Sequence, residues 1–435
     1  MLASSGQTTH KEHVYEQHGV ELVKGAAIYG ANGAGKSNFV KALAALKTMV
    51  LEGGRGTLNE LRGFKLARNE DKPTSIEIEF IAEGVPFLYG ISCYQGLVKE
   101  EWLYISSLGK GRDRLLFHRK MEEGSLLLSF ADQYTNTDEG RFRLKFYQDE
   151  LLKEDELLFS ELSSLKEGYK EIKQAFNWFA GGILILFPHT KMGLLSLTTK
   201  FGSYKPFRQF ADEIIYALNT GISNIEVINT DMETFFGVEN RKEIEAIIKR
   251  LQNGEEYLPL QSRKAWGPGE EVVVVLENDK PVVKQVVTNH KDKEGNLFEF
   301  SLDEESDGTN RLLDYIPAIH AVISSDTVVV IDEIDQSIHP ALLKELVRKF
   351  MSNTTTKGQL IFTTHESNLL DQTIFRRDEI WFAEKHEGAT QMYPLSDFDI
   401  RVDLDIRKGY LNGRFGAIPF LGNLKDLNWE QHAEA

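Results

Sequence analysis

Eight consecutive residues, Gly30-Ala31-Asn32-Gly33-Ala34-Gly35-Lys36-Ser37, carry the G-x-x-x-x-G-K-[ST] spacing that cradles a polyphosphate. Gly30, Gly33 and Gly35 let the backbone turn tightly enough for successive N–H groups to point inward at the phosphates. Lys36 is placed to reach the β- and γ-phosphates, and the Ser37 hydroxyl to ligate Mg²⁺. Far downstream, the apolar run Val328-Val329-Val330-Ile331 ends in Asp332-Glu333. Carboxylates at the C-terminal end of a buried strand lie where phosphates bind in an open α/β sheet. Asp332 is the expected Mg²⁺ holder, directly or through water; Glu333 is the expected orienter and base for the attacking water.

The flanking sequence supplies the elements these residues need. Ala26-Ala27-Ile28-Tyr29 enters the loop as a strand, and Phe39, Val40, Leu43, Leu46 and Val50 leave it at helical spacing. The helix N-terminus therefore faces the phosphates, where its dipole favours negative charge. Pro340 suits the first turn of a helix carrying Leu343, Leu346, Val347 and Phe350. Residues 359–364 and 379–383 read as further parallel strands. Between these α/β ends, Ile76, Ile78 and Phe80 and then Phe87, Tyr89, Ile91 and Cys93 alternate at period two around a Gly84–Pro86 turn. Trp102 and Tyr104 continue that antiparallel meander, and residues 114–130 add a hairpin.

From about residue 146 to 260 the period becomes helical. Leu151, Leu152, Leu158, Leu162 and Leu165 mark one amphipathic helix; Ile214, Ile215 and Leu218 a second; Ile244, Ile247, Ile248 and Leu251 a third. None sustains the heptads of a coiled coil. Trp266-Gly267-Pro268-Gly269 closes the block, and strands resume at 272–276, 282–287 and 298–302.

Bulk composition excludes several classes. The 435 residues, 41% hydrophobic and 27% charged, are ordinary for a folded soluble protein of two to three domains' worth of sequence. There is no apolar run long enough to span a bilayer and no signal peptide, which points to the cytoplasm and no membrane partner. The single cysteine, Cys93, excludes an internal disulfide and fits a reducing compartment; its place in the alternating strand makes it a core residue. A net charge of −16 opposes nucleic-acid binding by the whole surface. The densest basic group, Lys110, Arg112, Arg114, Arg119 and Lys120, lacks aromatic stacking partners and reads as a solvated hairpin face.

Three further segments fall in a telling order. Glu305-Ser306-Asp307-Gly308-Thr309-Asn310-Arg311 precedes an apolar helix ahead of the Asp332 strand; Ile334-Asp335-Gln336-Ser337 follows Glu333; His365 ends Phe362-Thr363-Thr364-His365. Ser306 is also a good helix N-cap taken alone. The order resembles the ABC-type ATPases, in which signature, acidic strand, D-loop and switch histidine succeed one another. That resemblance implies an α/β P-loop NTPase of ABC-ATPase type that takes ATP and Mg²⁺. Ser306 and Gly308 would serve the γ-phosphate of a nucleotide held by the opposite subunit, Asp335 and Ser337 would form the D-loop, and His365 would contact the γ-phosphate. Nearly 300 residues separate Lys36 from Asp332, as in the SMC, RecF and OLD relatives that carry an inserted arm there.

Local wording is similar to a bacterial group of ABC-type defence ATPases. It includes abortive-infection and RloA-type proteins and the ATPase subunit of PARIS anti-phage systems. The segments that carry this are 27–32, 305–309, Phe375-Arg376-Arg377-Asp378-Glu379-Ile380-Trp381-Phe382-Ala383-Glu384-Lys385, and Tyr410-Leu411-Asn412-Gly413-Arg414-Phe415-Gly416-Ala417-Ile418-Pro419. The resemblance implies an ATP-hydrolysing sensor or scaffold that self-associates through composite sites, at least as a dimer and up to a ring or hexamer. It also implies a phage protein as trigger and a separately encoded toxic effector, a TOPRIM-like nuclease. The alternative is a RecF- or SMC-like DNA-binding clamp in repair, so DNA as a partner stays open.

Two departures stand out. Such proteins usually carry an Asn-Phe-x-Ser-Phe-like stretch ahead of the loop. Here only 29 residues precede Gly30 and that stretch is missing, so the start is expected to be shortened or shifted. The glutamine of the usual Q-loop is not assignable, Gln95 being the nearest candidate. Asp397/Asp399 and Asp403/Asp405 superficially suggest two-metal carboxylates, but about 30 residues follow, too few for a nuclease domain. The expected organisation is an ATPase lobe with an antiparallel β subdomain over 1–145, a helical insertion over 146–265, a second ATPase lobe over 266–400 and a tail over 401–435.

Overall fold

The structure, a computed structural model, describes residues 1–4, 6–60, 72–165, 168–201, 204–217, 220–264, 267–401 and 404–418. Leu218, Trp266, Asp403 and Pro419, named above, lie outside the described residues. The chain forms two compact units, one comprising 1–185, 330–332 and 359–435, the other 186–329 and 333–358.

The first unit is built on the strand Gly25–Gly30, in which all six residues are buried. Uniform burial requires neighbours on both edges and cover on both faces, as in a parallel α/β sheet. Gln359–Thr363 pairs with it in parallel on one side and Ile380–His386 on the other, with Ala383 opposite Gly30. The full strand order is Ala389–Pro394, Ile380–His386, Gly25–Gly30, Gln359–Thr363, Val328–Ile331, Ile183–Leu186. Both ends of the chain therefore build one sheet. This is why the unit boundaries do not follow the expected divisions at 145/146, 265/266 and 400/401. The fold is α/β and of P-loop NTPase type.

The meander is present in full: Thr74–Ala82, Val85–Tyr94, Leu97–Ile105, Arg114–Glu122 and Ser125–Phe130 form a five-stranded antiparallel sheet. Its register sets Ile76 against Ile91, Ile78 against Tyr89 and Phe80 against Phe87. Cys93 continues the buried face, and burial pushes its thiol up to about 12. At pH 8 such a thiol is thiolate in roughly one part in ten thousand, and the thiolate is the nucleophile. Native protein is therefore expected to resist iodoacetamide and to be alkylated fully in urea, as read by mass spectrometry. Equal labelling rates in the two states would contradict this placement.

Arg119 corrects the reading of the basic group. Arg112 and Arg114 are exposed, but Arg119 is fully buried. The register between the strands shifts at Leu103/Tyr104, which brings Phe117 opposite Leu103 and Arg119 opposite Glu101 on the covered face. Glu101 is likewise fully buried. It accepts hydrogen bonds from the backbone N–H of Leu158 (2.8 Å) and Phe159 (3.1 Å) and from the Tyr89 hydroxyl (3.1 Å). The carboxylate thus caps the helix Leu158–Ser164, which has no cap of its own. Arg119 donates to the carbonyls of Glu156 and Lys153 just upstream.

The second unit corrects the expectation of a purely helical insertion. Ile222–Thr230, Lys280–Lys291, Gly267–Glu277 and Tyr257–Lys264 form an antiparallel sheet in that order, and Leu297–Ser301 also pairs with Lys280–Lys291. Alternation sends Val273 and Val286 to one face, against Leu197, Phe207 and Ile215 of the helices Gly193–Lys200 and Lys205–Ala217. Val272, Val274 and Val283 face the other way, against Ile244, Ile247 and Leu251 of Arg241–Gln252. In the first unit, the leucines expected on one helix over 151–165 are divided between a π-turn, Tyr147–Leu151, and the separate helix Leu158–Ser164. Among the described residues the longest helix is Asp307–Ser324, 18 residues, so no long arm is present there. No helix among them is long and apolar enough to cross a membrane.

Candidate functional site

The phosphate loop occupies the turn between Gly25–Gly30 and the helix Lys36–Glu52. Gly33 and Gly35 have φ of 76° and 103°, the left-handed region that a side chain disfavours. A Cβ on Gly30 would stand 2.5 Å from the Ala383 carbonyl of the paired strand, so only glycine lets that strand lie alongside. No side chain caps the helix, which leaves its N-terminus to an anion. Asn32 and Gly33 are exposed at the rim, whereas Ala34 is buried and its carbonyl accepts from Thr390 Oγ1 at 2.9 Å.

Lys36 is buried and its ammonium is folded against the loop. Nζ donates to the carbonyls of Gly30 (2.7 Å) and Ala31 (3.3 Å) and lies 3.0 Å from His365 Nε2. An ammonium only donates, so Nε2 accepts and a neutral ring carries its proton on Nδ1. His365 follows the strand Gln359–Thr363 and is solvent-exposed. Asp332, 3% exposed, ends the neighbouring strand. Its Oδ1 accepts from Ser37 Oγ at 3.2 Å and from Thr363 Oγ1 at 2.6 Å. The structure thus brings Lys36, Ser37, Asp332 and His365 together, from three stretches of chain that span more than 300 positions. Glu333, next in sequence, takes φ 52°, a left-handed conformation that is uncommon for a side-chain-bearing residue and clusters at functional positions.

The remaining residues expected at the site lie within the second unit. Ser306 is exposed and caps Asp307–Ser324, accepting from Thr309 N–H at 3.1 Å. A Cβ on Gly308 would meet the Ser337 carbonyl at 2.6 Å, so the Ser306–Arg311 segment and the turn after Glu333 meet through bare backbone. Two side chains of the same helix tie that region together. Arg311 donates to the carbonyls of Thr190 (3.1 Å) and Phe187 (2.9 Å), and the Tyr315 hydroxyl donates to the Ile334 carbonyl at 3.1 Å. Asp335 carries the turn onward, its carbonyl accepting from Ile338 N–H at 3.3 Å.

Two contributors escaped the sequence reading. Thr363 holds Asp332, and a hydroxyl beside a strand-end carboxylate on the adjacent strand was the signal available. Thr390, on the strand Ala389–Pro394, braces the loop, and a Cβ at Gly35 would overlap its side chain; nothing in the local sequence marks it. Gln95 sits at the tip of the turn between Val85–Tyr94 and Leu97–Ile105, with φ 53° and its amide donating to Tyr94, among none of these groups. Asp405 is spent as the N-cap of Ile406–Leu411.

Residues 26–371 match a protein family described as "AAA domain, putative AbiEii toxin, Type IV TA system". No curated protein sequence matches the chain. Among solved structures, an SMC head bound to the C-terminal winged-helix domain of ScpA aligns at 16% identity and a TM-score of 0.34, over 88% of this chain and 93% of that one. The SMC head domain from Thermotoga maritima aligns at 10% identity and 0.32, over 86% and 92%. An SMC head with an extended coiled coil, bound to a ScpA domain from Pyrococcus furiosus, aligns at 12% and 0.32, over 85% and 89%. Because the family match runs through most of the chain and encloses the loop, Asp332 and His365, the protein belongs to this AAA-domain family.

Proposed function

We propose that the chain binds ATP with Mg²⁺ and hydrolyses it, and that two copies share each nucleotide between the phosphate loop of one and the signature segment of the other. One observation carries the catalytic half: Asp332 Oδ1 is held by Ser37 and Thr363 beside a Lys36 that His365 contacts. The residues fit the cation. Ser37 Oγ and Asp332 Oδ1 are hard oxygen donors 3.2 Å apart, close to the edge of about 2.9 Å in an octahedron with Mg–O bonds of 2.0–2.1 Å. When bound, Mg²⁺ supplies charge neutralisation at the phosphate oxygens. Gly30, Asn32, Gly33, Ala34 and Gly35 present the loop backbone, and Lys36 leaves its carbonyl partners to pair with phosphate. Glu333 positions the attacking water and takes its proton, while His365 exchanges Lys36 for the terminal phosphate.

The shared arrangement rests on Ser306 and Gly308, exposed or half-buried at a helix N-terminus, together with Asp335 in the adjoining turn. Membership of a family described through an abortive-infection toxin supports a role in anti-phage defence. In that role the ATP-bound assembly responds to a phage trigger and controls a separately encoded effector, a nuclease. The test is complementation between two defective chains. Ser306→Arg keeps a working loop but blocks close approach of a neighbour's phosphate; Lys36→Ala keeps the signature but loses the phosphate contact. Each alone is expected to lose most phosphate release, and a mixture to regain a substantial part, because one interface in it joins intact loop to intact signature. Full activity in a monomeric Ser306→Arg protein, with no gain on mixing, would overturn the shared site.

A further inference from the structure

The N-terminal segment holds a second cluster that the nucleotide chemistry does not use. In the turn Lys11–His13, His10 Nδ1 lies 3.2 Å from Glu12 Oε1, and His13 Nε2 lies 3.8 Å from the same oxygen. One ligand atom from each of His10, Glu12 and His13 falls within 4.8 Å of the others. What distinguishes this trio from a chance gathering is the other nitrogen of each ring. His10 Nε2 sits 2.7 Å from the Gln372 carbonyl, which can only accept, so that nitrogen donates. His13 Nδ1 sits 3.0 and 3.2 Å from the two oxygens of Glu379, a fully buried carboxylate that also accepts from Arg376 N–H. Each imidazole is thus oriented from behind by a carbonyl or a carboxylate. That outer-shell arrangement fixes the tautomer of metal-binding histidines and raises the basicity of the ligating nitrogen.

We infer that His10 Nδ1, Glu12 Oε1 and His13 Nε2 form a site for a borderline divalent cation, Zn²⁺, with a fourth position open to water. Two imidazoles and one carboxylate suit zinc, whose bonds of 2.0–2.1 Å give tetrahedral ligand separations of about 3.3–3.4 Å. The His10–Glu12 separation already matches; the 3.8 Å His13–Glu12 edge closes by rotation of the exposed Glu12, and the His10–His13 edge, within 4.8 Å, closes by turning the half-buried His10 ring. His10 takes φ 49°, a left-handed conformation, and its ring stacks on that of His13 with centroids 4.7 Å apart. Lys24, buried nearby, brings one positive charge toward Glu12 and Glu379, which the two carboxylates outnumber. The backbone places the site at a structural seam. Lys24 N–H donates to the His13 carbonyl at 2.9 Å just before Gly25–Gly30, and Glu379 directly precedes Ile380–His386. A cation here fixes the turn whose His13 is hydrogen-bonded to Glu379, at the start of the strand paired with the one that enters the phosphate loop.

The experiment uses the full chain, stripped with a chelator and dialysed against micromolar ZnCl₂ in nucleotide-free buffer. Zinc content, affinity by chelator competition, and the visible spectrum after Co²⁺ replacement are measured. One zinc per chain and the intense d–d bands of tetrahedral cobalt are expected. His10→Ala and Glu12→Gln, both at accessible positions, are expected to abolish both signals while circular dichroism stays unchanged. Glu379→Gln is expected to weaken affinity by about ten- to a hundredfold, as an outer-shell change does. His386→Ala, an exposed histidine elsewhere in the unit, and Asp332→Asn should leave stoichiometry as it is. Zinc binding that survives His10→Ala and Glu12→Gln, or no binding by the wild type, would overturn the site and leave His10 simply hydrogen-bonded to Glu12.

Discussion

Glu333→Gln is expected to bind ATP as the wild type does and to release phosphate about 10²–10⁴-fold more slowly, the range that a lost general base commonly costs. Glutamine matches glutamate in size and can adopt the same left-handed backbone, so the φ of 52° at this position survives the change. Asp332 keeps both hydroxyl partners, and Lys36 keeps its place at the loop, so nothing that holds nucleotide is removed. What disappears is a carboxylate able to take the water's proton. Since bound triphosphate then persists, assembly should also become more stable in ATP, because a ligand that binds the joined state more tightly favours it by mass action. Steady-state phosphate release, nucleotide affinity and sedimentation together check this. Wild-type turnover in Glu333→Gln would assign the base to another group.

The second large effect is on stability. Arg119→Met is expected to cost about 3–5 kcal/mol in urea unfolding, because it strips the compensating charge from a fully buried carboxylate. Burial already pushes the Glu101 carboxyl above its ordinary range, and the Arg119 charge is the foremost influence pulling it back. Without the guanidinium, the carbonyls of Lys153 and Glu156 also lose their donor. Lys120→Met, one residue along and on the wetter side of the strand, should stay within about 0.5 kcal/mol of wild type, as surface changes do. Pairing Arg119→Met with Glu101→Gln should cost less than the sum, since the double change leaves neither buried charge stranded. An Arg119→Met protein as stable as Lys120→Met would show that the pair contributes nothing.

How far the sequence discloses the molecule depends on whether its physical cause is local. The phosphate loop, its strand and its helix are legible because the turn chemistry, the apolar run and the helical spacing all sit within a few residues of one another. The meander is legible for the same reason, through its strict alternation. Arg119 was not, since its burial arises from a register shift set by the neighbouring strand at Leu103/Tyr104. Tyr257–Lys264 was hidden by Pro259, which argues against a central strand; it is an edge strand, where a missing N–H is tolerated. Ile222–Thr230 is interrupted by a bulge between Ile222 and Asn224 that breaks its period of two. At the site, Thr363 and Thr390 reach their partners across strands distant in sequence, and no spacing rule connects them to the loop.

The contact between Gly308 and the Ser337 carbonyl has a mechanical meaning. With no room for even a methyl group, the junction has no slack, and Tyr315 braces the same turn about two helical turns further along. The first turn of Asp307–Ser324 therefore seats directly on the backbone at Ser337, so Ser306 cannot move toward that turn without displacing it. Such a junction resists compression: any group pressed against Ser306 meets backbone that has no free space behind it.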